Sequence, residues 1–399
     1  MEKFIISIMT FWIPVAKVRR TLRQKLKDYF LLHNKKFQKT LQDVIQILQD
    51  EQEIFATISI PWNSCLFQRP QYVANHISKN GYKFLYCDHS LKNFLGYKVE
   101  NNVIILNPQI LFYLPNNITH NINIIVPSPE GWCNMKVLNA LQDKGYKIIY
   151  DLIDDFDESI SGNNKEQLKV FNNLEEVNPK LCLATAKNLY QGLVNRFGEE
   201  KVLLNPNAVE IENFININTN PIPDDIKQIL EQNKPIIGYY GAMAPWLDWD
   251  LLNKLHKIRP NYNFVYIGLN YGDALKNLQP SSNVFYLGEK YYKELPLYSY
   301  HFDCCTIPFA KGDIAKSTNP LKLFEYMAVK KAIVCTEDLL ECYGYNGVLI
   351  ASGTEDFAAK LDEAIELSKD INIQTSLFNY AQQNTWEKRV TDILLKIGK

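Results

Sequence analysis

Several familiar sequence patterns are absent from this chain of 399 residues, and each absence removes a class of function. Its eight cysteines form no C-x-x-C pair and its six histidines have no paired spacing, which argues against a disulfide framework and a zinc site. No G-x-G-x-x-G, Walker A or H-E-x-x-H pattern occurs, so a dinucleotide fingerprint, a P-loop and a zincin site are unsupported. The formal net charge of -1 gives no reason to expect nucleic acid as a partner.

The composition is that of a soluble globular protein, with 46% hydrophobic and 22% charged residues. A chain of this length is expected to form two or three domains, because a single hydrophobic core seldom grows so large. The cysteines lie mostly inside apolar runs, where they are expected to be small core residues. This usage predicts reduced thiols in a cytoplasmic protein.

The N-terminal segment joins an uncharged run to a basic cluster. Residues 4–16 carry no charge, and residues 17–27 contain six lysines and arginines. The uncharged run is too short to span a bilayer, and a signal peptide would place its basic residues first. We therefore expect residues 1–27 to bind the membrane surface at the inner face of the cell membrane. Packing of the apolar side on the protein's own core is the alternative.

The hydrophobic pattern changes at residue 54. Residues 17–53 show helical periodicity, whereas the later sequence alternates short apolar runs with amphipathic stretches, which is typical of parallel sheets covered by helices. The first set of predicted strands covers residues 54–60, 83–87, 103–106, 122–126, 147–152 and 181–184. The second set covers residues 236–240, 263–267, 284–287, 304–307, 332–335 and 348–350.

These two sets predict an α/β protein with two similar domains. We expect a helical extension at residues 1–53, a first domain at 54–205, a second domain at 206–378 and a closing helix at 379–399 that packs back on the first domain.

Candidate site residues follow the predicted strands, because such sheets bind ligands outside the carboxyl ends of their strands. Arg69 begins a helix after the first strand and suits a phosphate or an acidic acceptor, with helix capping as the alternative. Asp151 and Asp154 belong to an acidic run after the fifth strand, for which a solvated loop is the alternative. Asp155 and Asp157 in the same run form only a weak magnesium or manganese signal, so no metal is predicted.

The segment Asn319-Pro320-Leu321-Lys322-Leu323-Phe324-Glu325 suits a sugar nucleotide. The free N–H groups and positive dipole end of a helix start attract a diphosphate, and a carboxylate further along can accept hydrogen bonds from ribose hydroxyls. Lys322 and Glu325 stand three residues apart and share one helix face. An ordinary surface ion pair is the alternative. Gly241, after another strand, would let the backbone approach a ligand closely.

Taken together, these residues resemble the GT-B glycosyltransferases of the retaining family-four type, particularly the bacterial branch that builds capsular, teichuronic-type and other surface polysaccharides. The resemblance runs from residue 54 to the C-terminus. Its motifs are Phe67-Gln68-Arg69-Pro70-Gln71, Tyr150-Asp151 with Asp154, Asn205-Pro206-Asn207-Ala208-Val209, Gly238-Tyr239-Tyr240-Gly241, Leu287-Gly288, Pro308-Phe309, the segment 319–326, and Trp386 with Arg389.

The resemblance implies two Rossmann-like domains facing a central cleft, with a donor site for a nucleotide diphosphate sugar in the second domain. Glu325 would bind the ribose, and Lys322 with the 319–321 backbone would lie near the diphosphate. The remaining implied donor-binding residues are Gly241, Ala242, Lys316, and Gly288 with Glu289, which begin the segment expected near the base. Two departures stand out. Ser317 replaces the glutamate that such enzymes carry eight residues before the ribose-binding one, and residues 242–250 lack the usual basic pair. Lys311, Lys316, Lys322 or Arg69 would then supply the positive charge.

The implied activity is transfer of a sugar, with retention, to a glycan or lipid-linked acceptor held by the first domain. The resemblance places Asp154 as the residue that orients the acceptor or takes its proton, with Asp151 supporting the strand end. No cofactor or divalent ion is expected. Two alternatives remain open: a catalytically inactive scaffold of a glycan-assembly complex, and a nucleotide-sugar epimerase of the same fold.

Overall fold

Two mainly parallel sheets covered by helices form the body of the protein. The computed structural model describes residues 16–91, 93–129, 132, 134–156, 164–215 and 222–398. Within these ranges, one sheet has eight strands in the order β3-β4-β2-β1-β5-β6-β7-β8 and the other has six in the order β11-β10-β9-β12-β13-β14. Every neighbouring pair is parallel except β3 with β4.

The first sheet precedes the second along the chain. Its strands are β1 (Ile54–Ser59), β2 (Lys83–Asp88), β3 (Tyr97–Glu100), β4 (Val103–Leu106), β5 (Ile122–Ser128), β6 (Lys147–Leu152), β7 (Leu181–Ala184) and β8 (Val202–Leu204). The helices up to this point are α1 (Ala16–Leu32), α2 (Lys35–Leu48), α3 (Arg69–Lys79), α4 (Asn116–Thr119), α5 (Met135–Gln142), α6 (Lys165–Asn172), α7 (Leu174–Val177) and α8 (Lys187–Phe197).

The second sheet and the closing helices complete the chain. The strands are β9 (Ile236–Tyr240), β10 (Asn263–Ile267), β11 (Val284–Tyr286), β12 (Cys304–Ile307), β13 (Ile333–Thr336) and β14 (Val348–Ala351). The helices are α9 (Asp224–Leu230), α10 (Trp249–Ile258), α11 (Leu295–Ser299), α12 (Asp313–Ser317), α13 (Leu321–Ala328), α14 (Thr354–Leu367), α15 (Ile371–Gln383) and α16 (Trp386–Ile397).

All twelve strands predicted from apolar runs are present, with ends displaced by at most two residues. Central strands such as β1, β5 and β9 are buried along their whole length, because helices cover both faces of a parallel sheet. The prediction missed β3 and β8. Strand β3 is a half-exposed antiparallel edge strand and β8 has only three residues, so neither produces a continuous apolar run.

The helical extension predicted before the first sheet is present from residue 16 to residue 48. Asn34 caps helix α2 by accepting hydrogen bonds from two backbone N–H groups, and Phe37, Val44 and Leu48 bury the apolar face of that helix in the first domain's core. Residues 1–15 of the predicted membrane-binding segment, which runs from 1 to 27, lie outside the described part of the chain. None of the helices in the described part of the chain is long and apolar enough to cross a bilayer.

The chain passes between the two sheets at two adjacent places. The first crossing follows β8 and the second joins α15 to α16. The two crossings are bonded to each other, since the Val209 N–H donates to Asn384 O at 3.0 Å and the Trp386 N–H donates to Val209 O at 3.3 Å. The predicted closing helix from residue 379 is therefore two helices. Asn384 leaves helical geometry and Thr385 starts α16 by accepting from the Lys388 N–H, so only α16 packs on α3.

Candidate functional site

A cavity of about 230 Å³ lies between the carboxyl ends of the two sheets. This is where α/β sheets of this kind bind ligands. The first domain and the first crossing contribute residues 65–70, Ile153, Asp154 and Asn207 to its lining. The second domain contributes residues 239–242, Trp246, residues 267–268, Lys290, Tyr292, Leu295, Phe309, Ile314, residues 318–322 and Glu325.

Two glycines bring backbone close to this cavity. Gly241 follows β9 with φ of 139°, and a Cβ placed there would lie 2.9 Å from Lys322 Cε. At Gly268 an added Cβ would lie 1.8 Å from the Gly241 carbonyl oxygen. Both positions favour glycine, because other residues rarely adopt φ of 139° or 142°, and at Gly268 an added Cβ would also collide with backbone. Gly241 and Ala242, both predicted to bind the donor, line the cavity.

Helix α13 begins at the cavity. Pro320 stands at its N-cap without a side-chain hydrogen bond, so no side chain caps the first turn. Asn319, Pro320 and Leu321 line the cavity together with Lys322 and Glu325. The lysine and the glutamate thus face a cleft, and the alternative of an ordinary surface ion pair does not agree with their positions.

Burial changes the titration of both side chains. The Lys322 ammonium lies 5.3 Å from the ring centroids of Tyr239 and Phe309. Burial lowers the pKa of Lys322 to about 8, although nearby Glu325 opposes this change. Burial also raises the pKa of Glu325 to about 7, against the effects of the Tyr240 hydroxyl and Lys322. The cavity therefore holds groups that can change charge near neutral pH.

Asp154 lies on the first domain's side of the same cavity. The Thr318 hydroxyl oxygen is 3.5 Å from its Oδ1 atom, across the cleft. Burial raises the pKa of Asp154 to about 7, and the neighbouring Asp155 raises it further whereas Thr318 lowers it. Asp154 therefore combines a position beside the cavity with a pKa suited to proton transfer.

Arg69 and Asp151 form a buried ion pair at the edge of the cavity. The guanidinium donates to both carboxylate oxygens of Asp151, at 2.8 and 3.0 Å. It also donates to Asn205 O and Oδ1 at 3.0 and 2.9 Å, and to Pro206 O at 3.5 Å. These five bonds account for its five N–H groups. These bonds assign both residues to the scaffold, and Arg69 also lines the cavity, so their predicted catalytic roles stay predictions.

Three predicted donor-binding residues lie outside the cavity lining. Gly288 has a positive φ of 73°, and its carbonyl oxygen accepts from the Gly268 N–H at 2.9 Å. Glu289 accepts from the Cys65 thiol of the opposite wall at 3.0 Å. Lys316 is exposed on α12 and lies 3.5 Å from Asp313. Lys316 is absent from the cavity lining, and its predicted contact with the donor stays a prediction.

Ser317 connects the two domains. Its hydroxyl donates to Asp155 Oδ2 at 3.2 Å and accepts from Asn188 Nδ2 at 2.8 Å. The side chain is buried and is absent from the cavity lining. The residue that replaces the expected glutamate therefore serves contact between the domains. Asp157, the partner of Asp155 in the weak metal signal, lies outside the described residues, among which no cluster of three potential metal ligands occurs.

Sequence reasoning missed several residues of the cavity. Lys290 lines it and forms an ion pair of 2.7 Å with Asp225. Tyr292 also lines it and stacks on Phe67 of the opposite wall, with ring centroids 4.4 Å apart. Both follow Gly288 within four residues, so the loop that the resemblance places near the base was the available signal. Trp246 occupies the loop that lacks basic residues.

Part of the second domain and about half of the chain resemble known glycosyltransferase sequences. Residues 234–366 match the family model described as glycosyl transferases group 1. The chain is 26% identical over 209 residues to the putative teichuronic acid biosynthesis glycosyltransferase TuaH of Bacillus subtilis (strain 168), covering 50% of this chain and 52% of TuaH. The chain thus spans about half the length of this curated relative. The family match agrees with the predicted enzyme class, a glycosyltransferase.

Solved structures resemble the chain over both domains. HepE from Anabaena, in complex with UDP and glucose, covers 87% of this chain and 99% of its own, with a TM-score of 0.62 and 14% identity. Trehalose-6-phosphate synthase OtsA has the same coverage, a TM-score of 0.66 and 12% identity. The fold is GT-B. This result confirms the predicted fold class of two Rossmann-like domains facing a central cleft.

The buried ion pair predicts a large loss of stability when Asp151 is removed. Asp151→Ala leaves the Arg69 charge unpaired in a buried site, and we expect the free energy of unfolding to fall by about 3–5 kcal/mol. Glu175→Ala is the matched control, because Glu175 makes a similar two-bond pair with Arg196 on the surface and should lose less than about 1 kcal/mol. Chemical denaturation of both variants measures the difference. Equal, small losses would contradict the assignment of Arg69 to the scaffold.

Proposed function

We propose that this protein is a retaining glycosyltransferase that moves a sugar from a nucleotide diphosphate sugar to a glycan or lipid-linked acceptor in surface polysaccharide synthesis. The observation that carries the proposal is the position of Lys322 and Glu325 on one face of α13, inside the cleft and beside Gly241. The name of TuaH supports the polysaccharide context, and the UDP complex of HepE supports a nucleotide donor.

The donor is held by the second domain in this proposal. The diphosphate lies at the uncapped start of α13, where first-turn N–H groups and the Lys322 ammonium favour negative charge. Glu325, one turn further along, accepts hydrogen bonds from ribose hydroxyls. Lys290 contributes a second positive charge to the same cavity, although Lys290 also forms an ion pair with Asp225.

Transfer proceeds between the two walls of the cleft. The bond from the anomeric carbon to the diphosphate weakens to give an oxocarbenium-like state, and the departing diphosphate shields its positive charge on one face. Lys322 stabilises the negative charge that develops on the leaving group. Asp154, on the opposite wall, orients the acceptor hydroxyl and accepts its proton. The proposal requires no divalent ion.

One alternative function has a specific observation in its favour. The Ser317 hydroxyl is hydrogen-bonded to Asp155 and Asn188, and Trp246 lies in a loop without basic residues. Both features would suit a scaffold that binds a nucleotide and does not turn it over. Incubation with a nucleotide sugar and a polysaccharide acceptor separates the two functions, since only the enzyme releases nucleoside diphosphate.

Replacing Glu325 should weaken nucleotide binding. Glu325→Ala removes the acceptor for two ribose hydroxyls, and we expect the affinity to fall by about 10- to 100-fold. Calorimetric titration with UDP, GDP, ADP and CMP, with and without Mn²⁺, measures this change and identifies the base. Glu366→Ala is the control, because Glu366 is exposed on α14 and should bind as the unmodified protein does. Unchanged affinity in Glu325→Ala would remove the donor-site assignment.

The pKa of Lys322 predicts how nucleotide affinity changes with pH. Below about pH 8 the ammonium is charged before the ligand arrives, whereas above that pH binding must take up a proton. We therefore expect affinity for the nucleoside diphosphate to fall by up to about tenfold for each pH unit above 8. Lys322→Met should bind more weakly at neutral pH and should lack the alkaline decrease. The same decrease in both proteins would assign it to another group.

We also propose that residues 1–27 bring the enzyme to an anionic membrane surface. The proposal rests on the uncharged run at residues 4–16 and the basic cluster that follows it. Within the described part, Lys25 and Lys27 of α1 are exposed, and α2 fixes this extension to the first domain. A membrane location would suit a lipid-linked acceptor.

Neutralising the basic cluster should weaken vesicle binding. The triple variant Arg19→Gln, Arg20→Gln, Arg23→Gln is expected to lose about 3 kcal/mol of binding free energy to vesicles of equal parts phosphatidylglycerol and phosphatidylcholine, at about 1 kcal/mol per charge. The control replaces Lys35, Lys36 and Lys39 of α2 with glutamine and should bind as before. Sedimentation with vesicles measures both, and deletion of residues 1–27 should abolish binding. Equal binding by all variants would overturn the proposal.

A further inference from the structure

Asn207 forms a reciprocal pair with Asn319 where the first crossing meets the donor loop. Its backbone N–H donates to Asn319 Oδ1 at 3.0 Å, and its Nδ2 donates to Asn319 O at 2.7 Å. Because a backbone carbonyl can only accept, the second bond fixes which end of the Asn207 amide is nitrogen. The carbonyl oxygen Oδ1 is therefore the other end.

That oxygen is buried and lacks a hydrogen-bond partner among the described residues. Asn207 is only 6% exposed, and it lines the cavity. Buried polar atoms are nearly always paired, so an unpaired one beside a cavity indicates a group that a ligand completes. The nearby donors of Arg69 are engaged by Asp151, Asn205 and Pro206, and they cannot serve it.

The chemistry of this oxygen restricts the ligand group that can meet it. An amide oxygen accepts hydrogen bonds and cannot donate them, so it repels phosphate oxygens and suits a hydroxyl. The position of Asn207 in the cavity also indicates which part of the ligand carries that hydroxyl. Glu325 lies one turn along α13 and Lys290 lies in the loop after β11, both in the second domain, whereas Asn207 belongs to the crossing beside Asn319.

We propose that Asn207 Oδ1 accepts a hydrogen bond from a hydroxyl group of the transferred sugar and so helps to select the donor. This inference rests on the proposed function, because it places the diphosphate at residues 319–322 and the sugar beyond it, towards the first domain. The Ser317 hydroxyl is held between Asp155 and Asn188 outside the cavity lining, so it leaves this contact to another residue.

The test compares nucleotide sugars with their free nucleoside diphosphates. Calorimetry with UDP-glucose, UDP-N-acetylglucosamine, GDP-mannose and ADP-glucose, against UDP, GDP and ADP, gives the gain in affinity due to the sugar. We expect Asn207→Ala to reduce that gain by about tenfold, the size of one hydrogen bond, and to change affinity for the free nucleotide less than about twofold. Asn319→Ala weakens the same pair without removing Oδ1 and serves as the positioning control.

Deoxy analogues of the bound donor provide a second measurement. Removing the hydroxyl that contacts Oδ1 should weaken binding to the unmodified protein by about tenfold and should leave binding to Asn207→Ala unchanged. This measurement does not require any variant to fold. The unmodified protein must itself bind one deoxy analogue more weakly than the others.

Each outcome separates the two proposals. If no nucleotide binds the unmodified protein, the proposed function fails and this inference fails with it. If nucleotides bind but no deoxy analogue is discriminated, only the role of Asn207 is overturned. The same holds if Asn207→Ala and Asn319→Ala weaken free nucleotide and nucleotide sugar by one common factor, because that result means Asn207 only positions the loop.

Discussion

The buried guanidinium of Arg69 is the contact on which the cleft depends. One planar group joins the start of α3, the end of β6 and the first crossing between the sheets. Arg389 of α16 reinforces the same place, since its Nε donates to Pro206 O at 2.9 Å and its carbonyl oxygen accepts from Asn205 Nδ2 at 2.9 Å. A buried charge of this kind is tolerated only when every donor is satisfied, so these segments have little freedom to move apart. The first domain's wall of the cavity rests on this network.

The cavity contrasts with that network in its electrostatics. Arg69 and Asp151 compensate each other directly, whereas Lys322, Glu325 and Asp154 share a partly buried space without such close pairing. Burial therefore brings the pKa values of these three groups to about 8, 7 and 7. The pKa values of such groups change strongly when a charged ligand binds, because the ligand supplies the opposite charge that no closely paired side chain provides. The scaffold and the site thus use the same residue types for opposite purposes.

Much of this arrangement could be predicted from the sequence. Continuous apolar runs located the buried strands because helices cover both faces of each sheet, and Lys322 with Glu325 could be placed on one helix face from spacing alone. The role of Arg69 could not be predicted. Its partners Asp151 and Asn205 lie 82 and 136 residues away along the chain, and only the folded topology brings them to its guanidinium. Lys290 was missed for the same reason, and Asn207 was named in a motif without a role, since their positions beside the cavity depend on loops and crossings that periodicity does not describe.

The paired crossings limit how the two domains can move. A single linker would let one domain swing and twist freely, but here two segments pass side by side and Val209 bonds to both Asn384 and Trp386. Two adjacent connections form a hinge that permits rotation of one domain about a single axis and resists translation. The contact between Phe67 and Tyr292 lies across the cleft from one wall to the other. Opening of the cleft would accordingly be a rotation through one angle, and distances across the cleft would change together as that angle changes.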